Sequence, residues 1–280
     1  MELRHIAARD GRLSSLLKED MKISTGLMNR LKWQDLIFVN GVPQRTDFQV
    51  KTGDVIMVPL DDPEPEYAAE DGPLTVLYED DHFLAVDKPS GMLIHPSRSR
   101  NDGTLANFVA GYYQKTGQKC AFHPITRLDR DTYGIVLLAK NAHAHALMQQ
   151  TELLKTYHAL VLGNWQEEQG IIDAPIARKP LPSLLREVHP EGKPSVTEFR
   201  VLQRMDGCTK LALRPVTGRT HQLRVHCSHM GHPILGDPQY GNGEDPFGLP
   251  SQILCAKVLE FTHPITGEKL ILESTMEAMR

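Results

Sequence analysis

Cysteine is scarce in this chain, and where it occurs it is scattered: the four, at 120, 208, 227 and 255, form no C-x-x-C pair. That spacing argues against a thiolate zinc site or a disulfide framework and reads as small buried or inert thiols in a reducing compartment. Long apolar runs are missing as well. No stretch approaches the roughly 18 uncharged apolar residues of a membrane span, and the opening Met1-Glu2-Leu3-Arg4-His5 has no basic segment followed by an apolar one, so a cytoplasmic location is expected and no membrane association. Also absent is the basic surplus that would advertise a nucleic-acid partner, the formal net charge being −4.

The charge changes meaning once it is divided along the chain. Residues 1–60 carry 9 Lys/Arg against 7 Asp/Glu, residues 61–80 none against 8, and residues 81–280 carry 22 against 20. The acidity therefore sits in one short segment, and the flanking regions are mildly basic, which permits local phosphate contacts. A length of 280 residues suits one catalytic domain plus a small accessory module. Charged residues at 24% and hydrophobic ones at 40% are ordinary for a globular chain.

The acidic segment, 61–73, combines proline and like charges with almost no apolar side chains and is expected to be an extended linker holding two modules apart. Before it, Leu13, Leu16 and Leu17 predict one short helix, and Ser24 or Thr25 caps a second carrying Leu27, Met28 and Leu31. Asn40-Gly41 after Leu36-Ile37-Phe38-Val39 predicts a tight hairpin, and Val55 to Val58 a further strand. After the linker, Leu74 to Tyr78 and Phe83 to Asp87 read as strands joined at Glu79-Asp80-Asp81. A helix is expected from Thr104 to Lys115, a hairpin turns at Asp206-Gly207, and Ile135 to Ala139 reads as a buried strand. Mixed elements without a regular βαβ repeat give an α+β class with a mainly antiparallel mixed sheet flanked by helices.

Three polar runs stand out. In Arg127-Leu128-Asp129-Arg130-Asp131-Thr132-Tyr133-Gly134 charged groups crowd the entrance of a buried strand, a setting that fixes a reactive carboxylate, although such a run also suits a simple turn. Gly218-Arg219-Thr220-His221-Gln222-Leu223-Arg224-Val225-His226 reads as a helix with Thr220 at its N-cap and Leu223, Cys227 and Met230 on its apolar stripe. Arg224 then shares a face with His221 and Ser228. Lys155 to Val161 reads as a strand that places Tyr157 and Val161 on one face.

Together these runs resemble the RluA-type family of pseudouridine synthases. The family motif His-Arg-Leu-Asp-x-x-Thr-Ser-Gly is met at Arg127, Leu128, Asp129, Thr132 and Gly134, with Thr126 in place of the usual His and Tyr133 in place of Ser. The Lys-x-Tyr motif falls on Lys155 and Tyr157, and Gly-Arg-Thr-His-Gln-(Ile/Leu)-Arg-x-His on Gly218 to His226. Gly231 to Asp237, Asp87-Lys88-Pro89-Ser90-Gly91 and His95-Pro96 fit as well. The likeness spans about residues 74–275, and residues 1–60, with Gly11-Arg12-Leu13 and Val39-Asn40-Gly41, resemble the S4 RNA-binding module that often accompanies it.

The resemblance implies a catalytic domain over 74–280 that isomerises uridines in structured RNA to pseudouridine without a cofactor or a metal. Ribosomal RNA is favoured over transfer RNA, and a monomer is expected. It assigns Asp129 as nucleophile, Arg224 as its charge partner and Tyr157 as the ring that packs on uracil. Arg127, Arg219, Thr220, His221, Gln222 and His95 become substrate-binding residues. A buried carboxylate prefers to be neutral, and an adjacent guanidinium opposes that preference. Three other readings remain: an RNA-glycosidic-bond hydrolase using Asp129 and Asp131, a metal enzyme using His221, His226, His229 and His232, and an inactive RNA-binding protein on the same scaffold.

Overall fold

A computed structural model describes residues 2–60, 67–97, 100–241, 243 and 248–278. The N-terminal part runs β1 (Glu2–Ile6), β2 (Gly11–Arg12), α1 (Leu13–Glu19), α2 (Thr25–Trp33), β3 (Phe38–Val39), β4 (Val42–Pro43), β5 (Gln49–Val50) and β6 (Val55–Pro59). Leu13, Leu16 and Leu17 of α1 meet Leu27, Met28 and Leu31 of α2 over Ile56 and Val58 of β6, a small core of its own. The hydroxyl of Ser24 caps α2 by accepting from the Leu27 amide. Asn40 (φ 50°) and Gly41 (φ 80°) take the two left-handed positions of the β3–β4 turn, the conformation for which that dipeptide is suited.

Residues 67–73 lie along the first helix of the larger part rather than standing clear of it. The Glu70 amide donates to the Asn107 carbonyl at 3.1 Å, the Glu70 carboxylate accepts from the Gly103 amide at 2.9 Å, and Asp71 pairs with Lys115 at 2.6 Å. A Cβ at Gly111 would collide with the Glu70 carbonyl, so that glycine opens the track. The expected extended spacer is corrected to this extent: its carboxylates find donors just before the helix and at its last residue, and settle there. Residues 61–66 of the expected linker lie outside the described residues.

The larger part continues β7 (Thr75–Glu79), β8 (Phe83–Lys88), α3 (Leu105–Lys115), β9 (His123–Pro124), β10 (Tyr133–Ala139), α4 (Ala142–Met148), β11 (Leu154–Leu162), β12 (Gln169–Asp173) and β13 (Ile176–Arg178). There follow β14 (Arg186–Val188), β15 (Val196–Met205), β16 (Cys208–Pro215), α5 (Gln222–His229), β17 (Leu254–Thr262) and β18 (Lys269–Glu273). Its main sheet runs β12-β15-β16-β11-β17-β10-β8-β7, with β18 on β17 and β9 on β10. Only the short β10–β17 pairing is parallel among the described ladders. This is the α+β, mainly antiparallel sheet that the pattern predicted.

Helices cover the sheet where apolar side chains demand it. Leu105 and Val109 of α3 pack on Leu84, Val86, Val136 and Leu138, while Ala144 and Met148 of α4 pack on the opposite set, Phe83, Ala85, Ile135, Leu137 and Ala139. β8 and β10 are therefore apolar on both faces, which explains their unbroken hydrophobic runs. On the other half, Leu223 and Cys227 of α5 join Ala159, Leu211, Leu213 and the fully buried Trp165.

Candidate active site

β10 is buried from its second residue onward, and the loop feeding it is anchored at both ends. At the entrance, the Thr126 hydroxyl accepts from the Leu137 amide at 2.9 Å and its own amide donates to the Leu137 carbonyl. Thr126, which replaces the family's usual His, therefore acts as a clip between loop and strand. At the exit, Tyr133, which replaces the usual Ser, donates its hydroxyl to the Glu277 carbonyl at 3.0 Å, tying the strand's first residue to the C-terminal segment. Gly134 follows with φ 102°, and any Cβ there would meet the backbone of Ala256 where β10 and β17 run parallel.

Within the loop the Thr132 amide turns back on the Asp129 carbonyl at 3.2 Å. Lys88, with no exposed surface, holds this turn from beneath: its ammonium donates to the carbonyls of Pro89, Met92 and Arg130 at 3.0, 3.0 and 2.8 Å. Burial brings its pKa down to about 8 against the opposing charges of Asp131 and Asp129. Ser90 bonds the Asp131 carbonyl, and Gln252 donates to the Thr132 hydroxyl. Asp131 itself turns to Arg130, at 2.8 Å, and does not line the cleft that Asp129 lines. The acid/base pairing of Asp129 with Asp131 that a hydrolase needs is therefore not formed.

Asp129 faces the start of α5. One guanidinium nitrogen of Arg224, Nη1, donates to Asp129 Oδ2 at 3.1 Å; the other two face Asp237, with Nε to Oδ2 at 2.7 Å and Nη2 to Oδ1 at 2.8 Å. Nη2 also reaches Gln239 Oε1 at 2.9 Å, and the guanidinium carbon lies 4.9 Å from the centre of the Tyr240 ring. Arg224 is thus buried, with 5% of its side chain exposed, and bridges a fully buried carboxylate and a carboxylate that keeps 33% of its surface open to the cleft. Burial alone would raise the pKa of Asp237, but Arg224 and the amides of Gln239 and Tyr240 outweigh it and hold the carboxyl below its ordinary range. Asp237 locks the arginine, and the arginine's free edge serves Asp129.

Across the sheet, Tyr157 of β11 pairs in register with Ala256 of β17, which pairs with Gly134 of β10, so the ring lies in the row that ends at the loop. Burial, with a contribution from Asp129, lifts the Tyr157 phenol to about 12, so it stays protonated at neutral pH. A cleft of about 740 Å³ opens between these elements and is lined by all nine residues singled out in the sequence. Arg127 is exposed at its edge, and His95 is held beside it by Tyr67 at 3.2 Å and by an edge-on Phe122 ring. Arg219 is tethered through Nε to the Pro194 carbonyl.

Three expectations at α5 are corrected. Thr220 is not the N-cap: the helix begins at Gln222, and His221 takes the cap position with left-handed backbone, φ 58°. Gln222 does not offer its amide to the cleft. Its oxygen accepts from Thr217 and the Arg219 amide, its nitrogen donates to the Val196 carbonyl and Thr197, and the side chain is buried as a brace for the 217–219 turn. Met230, expected on the apolar stripe, is 40% exposed because the helix ends at His229. The shared face of Arg224 and Ser228 is present, and it meets one segment: Ser228 donates to the Tyr240 carbonyl, and the Tyr240 hydroxyl lies 2.8 Å from His221 Nδ1. His226, far from the cleft, spends both ring nitrogens on Thr197 and the Ala174 carbonyl, and His232 bonds the Leu162 carbonyl. The histidines of this run point to separate places.

Residues 82–229 match the sequence family described as RNA pseudouridylate synthase. The chain belongs to the RluA-type pseudouridine synthases. It is 36% identical over 282 residues to the uncharacterized RNA pseudouridine synthase YhcT of Bacillus subtilis, covering 96% of this chain and 91% of that protein. It is 33% identical over 288 residues to the ribosomal large subunit pseudouridine synthase C of Vibrio cholerae, covering 95% and 90%. Among solved structures, human RNA pseudouridylate synthase domain containing 1 superimposes with a TM-score of 0.62 at 28% identity, over 75% of this chain and 87% of that one. As a pseudouridine synthase, the enzyme isomerises uridine in RNA. Asp237, Gln239, Tyr240 and Lys88 stand behind its cleft and hold Arg224, His221 and the Asp129 loop in place; Lys88 and Asp237 were visible in the sequence only as parts of matching motifs, and Gln239 and Tyr240 carried no signal of their own.

Proposed function

We propose that Asp129 is the nucleophile of this pseudouridine synthase, acting on a uridine turned out of its stack in ribosomal RNA. The uracil is detached at N1 from C1′, turned over and rejoined through C5; C5 gives up a proton, N1 gains one, and no electron or energy is drawn from outside. Turning the nucleotide out costs a few kcal/mol, recovered in a closed pocket. Arg224 holds the Asp129 carboxylate in place by its hydrogen bond while the pocket excludes water, Tyr157 packs on the ring so that the free base is recaptured, and Arg127 meets phosphate at the rim. Arg219, Thr220, His221 and His95 complete the nucleotide's surroundings, and Gln222 shapes the turn that carries Arg219.

The observation that carries this reading is the 3.1 Å contact between Arg224 and an Asp129 carboxylate that is otherwise open to a nucleotide-sized cleft. Ribosomal RNA is supported by relatives named as ribosomal large subunit pseudouridine synthases C and D. Residues 1–60, with their S4-like order of two helices and a small sheet, act as an RNA-binding module that brings the substrate to the cleft. Mapping pseudouridine across cellular RNA with and without this protein tests the assignment. Loss of defined sites in ribosomal RNA is expected, and loss confined to transfer RNA overturns the substrate.

A further inference from the structure

His221 is the one non-glycine residue of the cleft with left-handed backbone among those described, a conformation that costs a residue with a Cβ about 1–2 kcal/mol. It makes no side-chain cap for α5 in return. What the strain achieves is aim: Nδ1 turns to the Tyr240 hydroxyl at 2.8 Å and Nε2 turns to the cleft, 3.7 Å from Asp129 Oδ2, too far for a direct hydrogen bond and close enough to share a ligand atom with it.

Among the described residues the Tyr240 hydroxyl has two hydrogen-bond partners. The Arg186 amide can only donate, and it does so to this oxygen at 2.9 Å. The phenol's own proton is then best placed on His221 Nδ1, and a neutral imidazole whose Nδ1 accepts must carry its proton on Nε2. Burial favours the neutral ring, acting against the Asp129 charge and helped by Arg224.

We infer that Tyr240 is a positioning residue that fixes His221 as the Nε2–H tautomer, so that the imidazole meets the uridine beside Asp129 as a neutral hydrogen-bond donor to one of its oxygens. The inference rests on His221 contacting the nucleotide, but its first test does not. In protein carrying ¹⁵N-histidine, ring correlations of free enzyme should show His221 protonated on Nε2 and bare on Nδ1. In Tyr240→Phe, which keeps the ring under Arg224, the two tautomers should mix. An Nδ1–H ring in the wild type, or an unaltered ring in Tyr240→Phe, overturns the proposal whatever the activity.

Turnover supplies the second test. Tyr240→Phe should lower kcat roughly tenfold with KM little changed, the effect of a donor lost from the bound state. His221→Gln, whose amide nitrogen can stand where Nε2 does, should lose less than His221→Asn. Loss of the Arg186 amide's acceptor is common to both backgrounds, so Tyr240→Phe should cost clearly less in His221→Gln than in the wild type. An equal cost in the two shows that Tyr240 acts on the fold and not through the imidazole.

Discussion

Removing Asp237 should damage both stability and turnover, and the structure sets the scale. Its carboxylate has no exposed surface and accepts four hydrogen bonds, two from Arg224 and one each from the amides of Gln239 and Tyr240. In Asp237→Ala the guanidinium stays buried with Asp129, Gln239 and the Tyr240 ring left to face. Breaking one side of a buried pair costs about 3–5 kcal/mol, which at about 2–4 °C per kcal/mol for a chain of this size lowers Tm by roughly 6–20 °C. Arg224 then tilts toward the partners it retains, and a displacement on the order of 1 Å at the reacting centre lowers kcat about 100-fold. Thermal unfolding followed by calorimetry, and pseudouridine formation on RNA measured well below the new midpoint, check the two effects separately. Asp237→Asn, which keeps an oxygen for the two amides, should lie between. An alanine variant within about 1 kcal/mol of the wild type that turns over normally would show that the Asp237–Arg224 pair does not organise the site.

The buried ammonium of Lys88 gives activity and stability opposite trends in alkali. Above about pH 8 it loses a proton, one of its three carbonyl contacts fails, and the loop bearing Asp129 loosens, so kcat should decline from about pH 8 upward. Unfolded lysine titrates near 10.5, so between about pH 8 and 10.5 the unfolded chain holds more protons, and this group's contribution to stability rises with pH. Rate profiles and denaturant melts over that range should diverge; a parallel fall would mean that activity is lost by unfolding. Deleting residues 1–60 should weaken RNA binding and flatten its salt dependence more than it lowers kcat, as titrations at several salt concentrations would show. Equal binding and equal slope would make the module idle. Gly134→Ala should be strongly destabilising, since the β10–β17 approach leaves no room for a Cβ and φ is positive, and a melt unchanged from the wild type would contradict that packing.

The sequence was most legible where period and turn chemistry agree with the fold. Asn40-Gly41, Asp206-Gly207, the helix start near Thr104 and the unbroken run into β10 all report local preferences that packing reinforces. The start of α5 was misread because Thr220 is a good cap by composition, whereas the chain spends a left-handed His221 there, a choice made by the cleft and not by helix propensity. The family motif puts Gln222 among the substrate-binding residues, yet its partners at 196, 197, 217 and 219 are visible only once β15 and the following turn are folded against it. The linker's acidity was plain, but that Glu70 and Asp71 would find donors just before α3 and at its end depends on a small residue at 111 that opens the helix surface. Asp129, Tyr157 and Arg224 come from three distant segments, and the motifs that name them carry no distance; register across β11, β17 and β10 and the Asp237 lock supply it.

The proposed chemistry turns on the Asp129 carboxylate that Arg224 holds in the cleft. Pseudouridine formed by purified Asp129→Asn on its RNA, beside an RNA-binding measurement and a melt of the same preparation, tests it most directly. Native stability and binding with no pseudouridine above background are expected, and turnover near the wild-type rate would rule out Asp129 as the nucleophile.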